Sequence, residues 1–434
     1  MPFSKILRLG LINMAVALTA VPIDGTLNRV MISELGIPAT LVALLIALPY
    51  LSAPIQVWIG GYSDRHPIGG LRRTPYIVVG LLLCSLGSAL SPSAAFALAE
   101  SPAIGLPLCL LAFGMWAIGF NFATVSYLSL ATELAGEEHR ARTVGAMWFI
   151  LILGVITAGI GISRMLRDYT PEKLLAAFYV TCGLAVLIGV GALLGLEPRS
   201  GLPAPSARRS FGELLGLVSR TPQARLFFIY LILLLIAILG QDVLLEPFAA
   251  DVFGAPVETT TRYTSIWGAA LLVALLLTGP LARRVGKLRA AALGGALVGI
   301  GLLLIALSGA LGAPAIFIPS LVLFGFGSGI STAANLALML DMTLPGQVGV
   351  FVGAWGVADA LARLGGTLLS GVVRDVVTAV SASKPAGYVV VFLIQALALG
   401  ASLALLPRIS VARFRDEAAP SVGELVGMVG ETKG

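Results

Sequence analysis

The sequence predicts an all-α membrane protein with twelve transmembrane helices in two pseudo-symmetric six-helix halves. Three observations predict it. The 434 residues are 58% hydrophobic and only 12% charged, with a mean hydropathy of +0.97, whereas a soluble domain carries about 25% charged residues. Twelve apolar runs have the length needed to cross a bilayer, roughly 20 residues as a helix. These runs fall six and six about one polar, proline-rich stretch. Lipid offers the backbone no hydrogen-bond partner, so each run is expected to be helical. The continuous apolar blocks lack the short alternation of a membrane barrel.

In order, the spans are expected near 8–33, 38–62, 74–92, 104–134, 142–163 and 173–196, then 225–252, 260–282, 290–311, 314–340, 347–373 and 386–407. Pro198, Pro203, Pro205, Ser206, Arg208, Arg209 and Gly212 mark the connector. The chain therefore divides into a first bundle (1–197), a cytoplasmic linker (198–224), a second bundle (225–408) and a polar, mobile cytoplasmic tail (409–434).

Charge placement sets the topology. With the amino terminus inside, only Arg164, Arg167, Lys173, Arg262, Arg374 and Lys384 lie outside, and Arg29 and Arg363 lie within spans. The other 20 of 28 Lys and Arg residues collect on the cytoplasmic side, as the positive-inside rule requires. Both termini are then cytoplasmic, and the net charge of +6 reflects topology; no nucleic-acid partner is expected. Lys5 and Arg8 before an apolar run imitate a signal peptide, but the run continues too far for one. Cys84, Cys109 and Cys182 sit in apolar spans without paired spacing and read as core residues.

Landmarks repeat between the halves. Asp24 precedes Gly36 by twelve residues with Pro38 beyond; Asp242 precedes Gly254 by twelve with Pro256 beyond. Glu133, Gly145 and Trp148 recur as Asp341, Gly353 and Trp355. "GGYSDRHPIGGLRRTPYI" (60–77) after the second span has a weaker partner in "GPLARRVGKLR" (279–289) after the eighth. Such ordered coincidences point to duplication.

The 60–77 turn gathers glycines and Pro67 for a reversal. Asp64 is suited to a helix amino terminus, where unpaired N–H groups attract an anion. Arg65, Arg72 and Arg73 either anchor the loop inside or pair with carboxylates of the other half. Two parallel six-helix halves with a cytoplasmic linker resemble the major facilitator superfamily. Its motif between the second and third helices is matched by Gly60, Asp64, Arg65, Gly70, Arg72 and Arg73, with an insertion; Arg283 replaces the acid in the second half. The resemblance implies an inter-half latch made of Gly60, Asp64, Arg65, Arg72 and Arg73.

Within the superfamily, "GTLNRVMISELGIPATLVALLIALPY" (25–50) and "SDRHPIGGLRRTPYI" (63–77) resemble the bacteriochlorophyll-delivery, PucC- and LhaA-like branch. That resemblance covers nearly the whole chain. It implies binding of (bacterio)chlorophyll as cargo and assembly of light-harvesting antenna polypeptides, or of a reaction-centre–antenna complex, in a bacterial inner photosynthetic membrane. Superfamily resemblance also implies that the first, fourth, seventh and tenth helices line a central cavity.

Polar groups inside spans are costly and are default functional candidates. Asp24 and Asn28, and Asp242 and Glu246, stand four apart and are expected to share helix faces. With Arg29, Asn121 and Asn335 they are the cavity candidates. Asp359 and Arg363, also four apart, read as an intrahelical pair, and Asp24 with Arg29 as a second structural pair. His66 and His139 read as solvated loop residues, so pigment magnesium would be ligated by Asn, Gln, carboxylate, carbonyl or water. Arg164, Arg167 and Lys173 face lipid phosphates or an acidic partner. No phosphate-cradling loop, metal-ligand cluster or nucleophile–base set is present, so no enzyme activity and no metal site are expected. The alternative to pigment delivery is a proton-coupled carrier of a small solute, with Asp242 or Glu246 as the proton site.

Overall fold

A computed structural model describes residues 2–52, 54–199, 221–343 and 348–418, with side chains described throughout these except at 54, 57, 136–142 and 348–354. The first half begins with α1 (Phe3–Glu34). α2 follows in three pieces, Ala39–Ile46, Leu48–Leu51 and Pro54–Arg65, and then α3 (Thr74–Glu100). α4 (Pro102–Ala135), α5 (Thr143–Met165) and α6 (Pro171–Leu193) complete it. The second half contains α7 (Pro222–Leu239, resuming as Leu245–Phe253), α8 (Val257–Val285), α9 (Lys287–Leu311), α10 (Pro314–Asp341), α11 (Val348–Ser381) and α12 (Lys384–Leu405). A short α13 (Val411–Ala418) ends the described chain.

Proline starts several of these helices. Pro102, Pro171, Pro222 and Pro314 all stand in the first turn, where a missing N–H costs nothing. Thr170 caps α6 by accepting from Lys173 N at 3.3 Å. Gly36 and Gly254 share one left-handed conformation (φ +65° and +66°). They close the equivalent turns after α1 and α7, where a side chain would be strained.

Eleven helices among the described residues are long and apolar enough to cross a membrane, against the twelve spans expected. The difference is α2, whose pieces are individually too short. Pro49 and Pro54 lack the N–H that would continue the ladder. The expected turn between the fourth and fifth spans also differs. Helical backbone bonding runs unbroken from Pro102 to Met165, across the α4–α5 junction.

Within each half the packing repeats: α3 lies along α4, and α9 along α10. Small residues allow it. A Cβ on Gly80 would come within 2.4 Å of Ala123 N, and one on Gly294 within 2.5 Å of Ser331 N. The spaced glycines Gly325 and Gly329 press on α8 in the same way, at Trp267 O and Leu271 O. Between halves, α8 packs on the α4–α5 helix and α11 on α2. Large apolar side chains such as Leu187, Val380 and Leu397 point outward, as a lipid-facing surface requires.

The linker expected at 198–224 lies mostly outside the described residues, but its end does not. Gln223 and Ala224 are already buried in α7. The tail expected to be mobile begins with structure: α13 buries Phe414, and Glu417 Oε2 accepts from Gln223 N at 2.9 Å. An apolar residue on one face of that short helix is enough to dock it.

Candidate functional site

A cavity of about 1320 Å³ lies between the halves. Its walls come from α1 (Asn13, Asp24, Gly25), α2 (Tyr50, Gln56), α4 (Trp116, Phe120, Tyr127), α5 (Met147, Trp148), α7 (Gln241, Asp242, Glu246), α8 (Thr264, Trp267) and α11 (Asp359, Arg363). The expected lining by the first, fourth, seventh and tenth helices holds for three of the four. From α10 only Met339 reaches the cavity, because its polar face is turned toward α7.

Two interrupted helices meet at the apex. α1 loosens to π-winding over Pro22–Leu27 and again over Val30–Glu34; Pro22 removes a ladder donor and Gly25 a side chain. α7 stops at Leu239, turns through Gly240–Leu244 and resumes at Leu245. Asp24 and Asp242 therefore occupy matching interruptions in the two repeats, the arrangement in which broken transporter helices build midplane sites. It also corrects the shared-face expectation. Asp242 lies in the turn and Glu246 in the resumed helix, so their convergence is set by the break and not by helical spacing.

The polar groups there are partly committed. Thr264 Oγ1 donates to Glu246 Oε1 at 2.6 Å, and Gln241 Nε2 to Asp242 Oδ1 at 2.5 Å. Arg363 Nε donates to Asp359 Oδ2 at 3.0 Å, and its guanidinium lies 5.7 Å from the Tyr50 ring centroid. Asp24, Asp242, Tyr50 and Arg363 share a smaller apical pocket. Asp24 Oδ1, Thr124 Oγ1, Gln241 Oε1, Glu246 Oε2 and the ring nitrogens of Trp116 and Trp267 have no hydrogen-bond partner among the described residues. Each buried polar atom left unpaired costs about 1–3 kcal/mol, so these six are handles the cavity offers. Gln241 escaped the sequence's candidate set, whereas Trp116 and Trp267 are among its rings that could stack on a pigment. The signal was present in the Gly240–Gln241–Asp242 interruption of an apolar run.

The remaining sequence candidates hold helices together. Asn28 donates to Asp24 O at 3.1 Å and, across the halves, to Val243 O at 2.6 Å. Asn121 Nδ2 donates to Pro49 O at 3.0 Å and Ser52 Oγ at 2.8 Å, and its Oδ1 accepts from Gln56, tying α4 to broken α2. Asn335 accepts from Tyr230 hydroxyl at 2.7 Å and donates to Ser331 O at 2.8 Å, tying α10 to α7. Arg29 bonds Glu34 and donates to Ala255 O at 3.1 Å; it does not pair with Asp24. None of these four lines the cavity; each bonds neighbouring backbone or side chains at contacts between or within helices.

One end of the cavity is closed by bonds between halves. The Asp375 carboxylate on α11 accepts from Ala39 N at 3.2 Å, Thr40 N at 2.7 Å and Thr40 Oγ1 at 2.7 Å, capping α2. Arg374 beside it donates to Asp375 at 2.9 Å and to Asp251 at 3.1 Å, and Tyr388 hydroxyl donates to Asp251 at 2.7 Å. Ser163 Oγ donates to Glu258 O at 2.6 Å, joining α5 to α8. The cavity lining runs from this seal toward the end of the bundle that carries the start of α1.

The chain matches the PUCC protein family model over residues 26–414. It belongs to the PUCC family. It is 33% identical over 395 residues to Protein PucC of Rhodovulum sulfidophilum, covering 87% of this chain and 86% of that one. It is 31% identical over 388 residues to the Bacteriochlorophyll synthase 44.5 kDa chain of Rhodobacter capsulatus, covering 86% and 87%. Among solved structures it resembles a bacterial homologue of the lysosomal transporter Spinster in an inward-facing state (TM-score 0.72, 14% identity, 97% of this chain and 100% of that one). The nucleoside transporter NupG is similar (TM-score 0.67, 16% identity, 95% and 99%). The fold of this PUCC-family protein is thus the transporter-like major facilitator fold.

In the PUCC-family chain the 60–77 turn makes its bonds inside the first half. Asp64 and Arg73 form a buried ion pair; Arg73 also donates to Ser63 Oγ at 2.6 Å and to Glu133 at 2.7 and 3.0 Å. Glu197 accepts from the backbone N–H groups of Arg72, Arg73 and Thr74 at 2.7–3.2 Å, performing at α3 the helix-start role expected of Asp64. Arg72 lies 3.8 Å from Glu133. Arg65 is exposed and bonds Gly61 O at 3.1 Å, and Gly60 O accepts from Ser63. Pairing with the other half, as the latch expectation required, is not made by these side chains among the described residues. The second half repeats the in-half bond in reduced form, with Lys287 Nζ 2.6 Å from Asp341 Oδ2.

Proposed function

We propose that this PUCC-family protein is a membrane assembly factor that holds a magnesium tetrapyrrole, of (bacterio)chlorophyll type, in its central cavity and delivers it to light-harvesting antenna polypeptides. The supporting observation is the cavity. At about 1320 Å³ it exceeds the roughly 300–1,000 Å³ of ordinary small-molecule sites. Trp116, Phe120, Trp148 and Trp267 offer flat apolar contact, and six unpartnered polar atoms stand among or beside them. Gln241 Oε1, Asp24 Oδ1 and Glu246 Oε2 are oxygen ligands of the kind magnesium accepts. The indole N–H groups suit carbonyls at a macrocycle edge. One relative, the Bacteriochlorophyll synthase 44.5 kDa chain of Rhodobacter capsulatus, carries this class of pigment in its name. By the positive-inside argument the cavity opens toward the cytoplasmic side of a bacterial photosynthetic membrane, with both termini there.

The test is purification of the protein from its native membrane, with an absorbance spectrum and identification of co-purifying chains. Stoichiometric pigment or antenna polypeptides are expected. A colourless preparation, with antenna levels unchanged on deletion of the gene, would overturn the proposal. A second reading, proton-coupled carriage of a small solute, draws on the apical cluster of Asp24, Asp242 and Arg363. It predicts solute movement in liposomes that is lost in Asp242→Asn.

A further inference from the structure

Outside the cavity, three rings line the exposed side of the last piece of α2. Trp58 and Tyr62 stack with centroids 5.1 Å apart and planes at 22°, and Tyr62 and His66 with centroids 4.1 Å apart and planes at 16°. Trp58 is 60% exposed, and Tyr62 and His66 are also exposed. Tyr76 of α3 braces the group, edge-on to Tyr62 at 6.3 Å and donating its hydroxyl to His66 O at 2.7 Å.

The contacts of the imidazole hold it in place and favour one tautomer. His66 Nδ1 lies 3.1 Å from Tyr62 O. A carbonyl only accepts, so Nδ1 carries a proton, and in the neutral ring Nε2 keeps its lone pair. Nε2 has no partner among the described residues. A ring N–H given to a backbone carbonyl, with the other nitrogen free, is how ligating histidines are oriented toward a metal. Interfacial anchoring accounts for exposed Trp and Tyr. It requires neither a third stacked ring nor a favoured tautomer.

We propose that His66 Nε2 is the axial-ligand position for the magnesium of a tetrapyrrole held at the outer face of α2, a pigment site separate from the central cavity. The inference rests on the pigment reading above. Because the metal bond lies in the imidazole plane, the macrocycle would stand across the ladder. The stacked rings of Tyr62 and Trp58 hold the ligand and do not sandwich the pigment. The exposed position suits receipt or hand-over at the bundle surface, where a second membrane protein can reach the ring.

The test uses the full chain in lipid nanodiscs, titrated with bacteriochlorophyll a and separately with magnesium-free bacteriopheophytin a. Bound pigment per chain and the absorption bands sensitive to axial ligation are read. His66→Gly is expected to lose one bacteriochlorophyll equivalent, to regain it with added imidazole, and to bind bacteriopheophytin as the parent does. His66→Phe, which keeps the ring stack, should lose the same equivalent without rescue. If both variants match the parent in amount and band position, the ladder site is wrong while the pigment reading stands. If the parent binds no pigment, both fall together.

Discussion

Arg73 is 4% exposed, and its guanidinium satisfies Asp64, Ser63 and Glu133 together. Asp64 is equally buried, so removing the cation strands a carboxylate away from water. Breaking such a pair by deleting one partner costs about 3–5 kcal/mol. Arg73→Met is therefore expected to lower the thermal midpoint in detergent sharply. Arg65→Ala, at an exposed side chain with a local bond to Gly61, should stay within about 0.5 kcal/mol of the parent. Gly25 gives a second residue-scale expectation. A Cβ there would stand 2.6 Å from Glu246 Oε1. Gly25→Leu should displace Glu246 and reduce pigment bound per chain, measured by absorbance, with little change in yield.

Elements are shaped by their interruptions. α7 can turn at Gly240 because no side chain separates it from α11: a Cβ would lie 3.1 Å from Gly366 O. Gly240→Val is expected to push α11 away and cost about 1–3 kcal/mol through overpacking, read by thermal unfolding and by altered cavity ligand binding. α3 depends on a residue outside itself. The N–H groups of Arg72 and Arg73 just before it and of Thr74 at its first position converge on Glu197, beyond the end of α6. Glu197→Gln removes the charge at a helix start, and a loss of about 1 kcal/mol is expected by the same unfolding measurement.

The whole molecule is closed at one end by Asp375 of the second half capping α2 of the first. Hydrogen bonds to a charged group contribute about 1.5–3 kcal/mol. Asp375→Asn is thus expected to raise the population with that end open by roughly 10- to 150-fold. Distances between spin labels at the start of α2 and the end of α11 measure it. An unchanged distribution would reduce Asp375 to a helix cap with no part in closure. The opposite charges of Arg374 and Asp251 remain paired in this variant, so the second half should keep its stability.

Composition, the helical membrane-spanning class and repeated spacing were legible in the chain because they are local and additive. A run of apolar residues crosses lipid wherever it is placed, and duplicated spacing survives folding. Asp24, Asp242 and Glu246 could be singled out for the same reason: a carboxylate in an apolar run is costly whatever its neighbours. Which polar residues face the cavity was a different kind of question. Asn121 and Asn335 have the same local signature as Asp24, yet their hydrogen bonds go to Pro49, Ser52, Tyr230 and Ser331. Those partners are known only once helices meet. The 60–77 motif fixed which residues matter, but its partners turned out to be Glu133 and Glu197 of its own half. The closure between halves fell to Asp375, 335 residues from Thr40 in the chain. The sequence by itself determined a duplicated helical membrane protein with acids at two matching points; only the tertiary structure decided which groups remain unpaired around one cavity, because hydrogen-bond satisfaction belongs to pairs of elements and not to single residues.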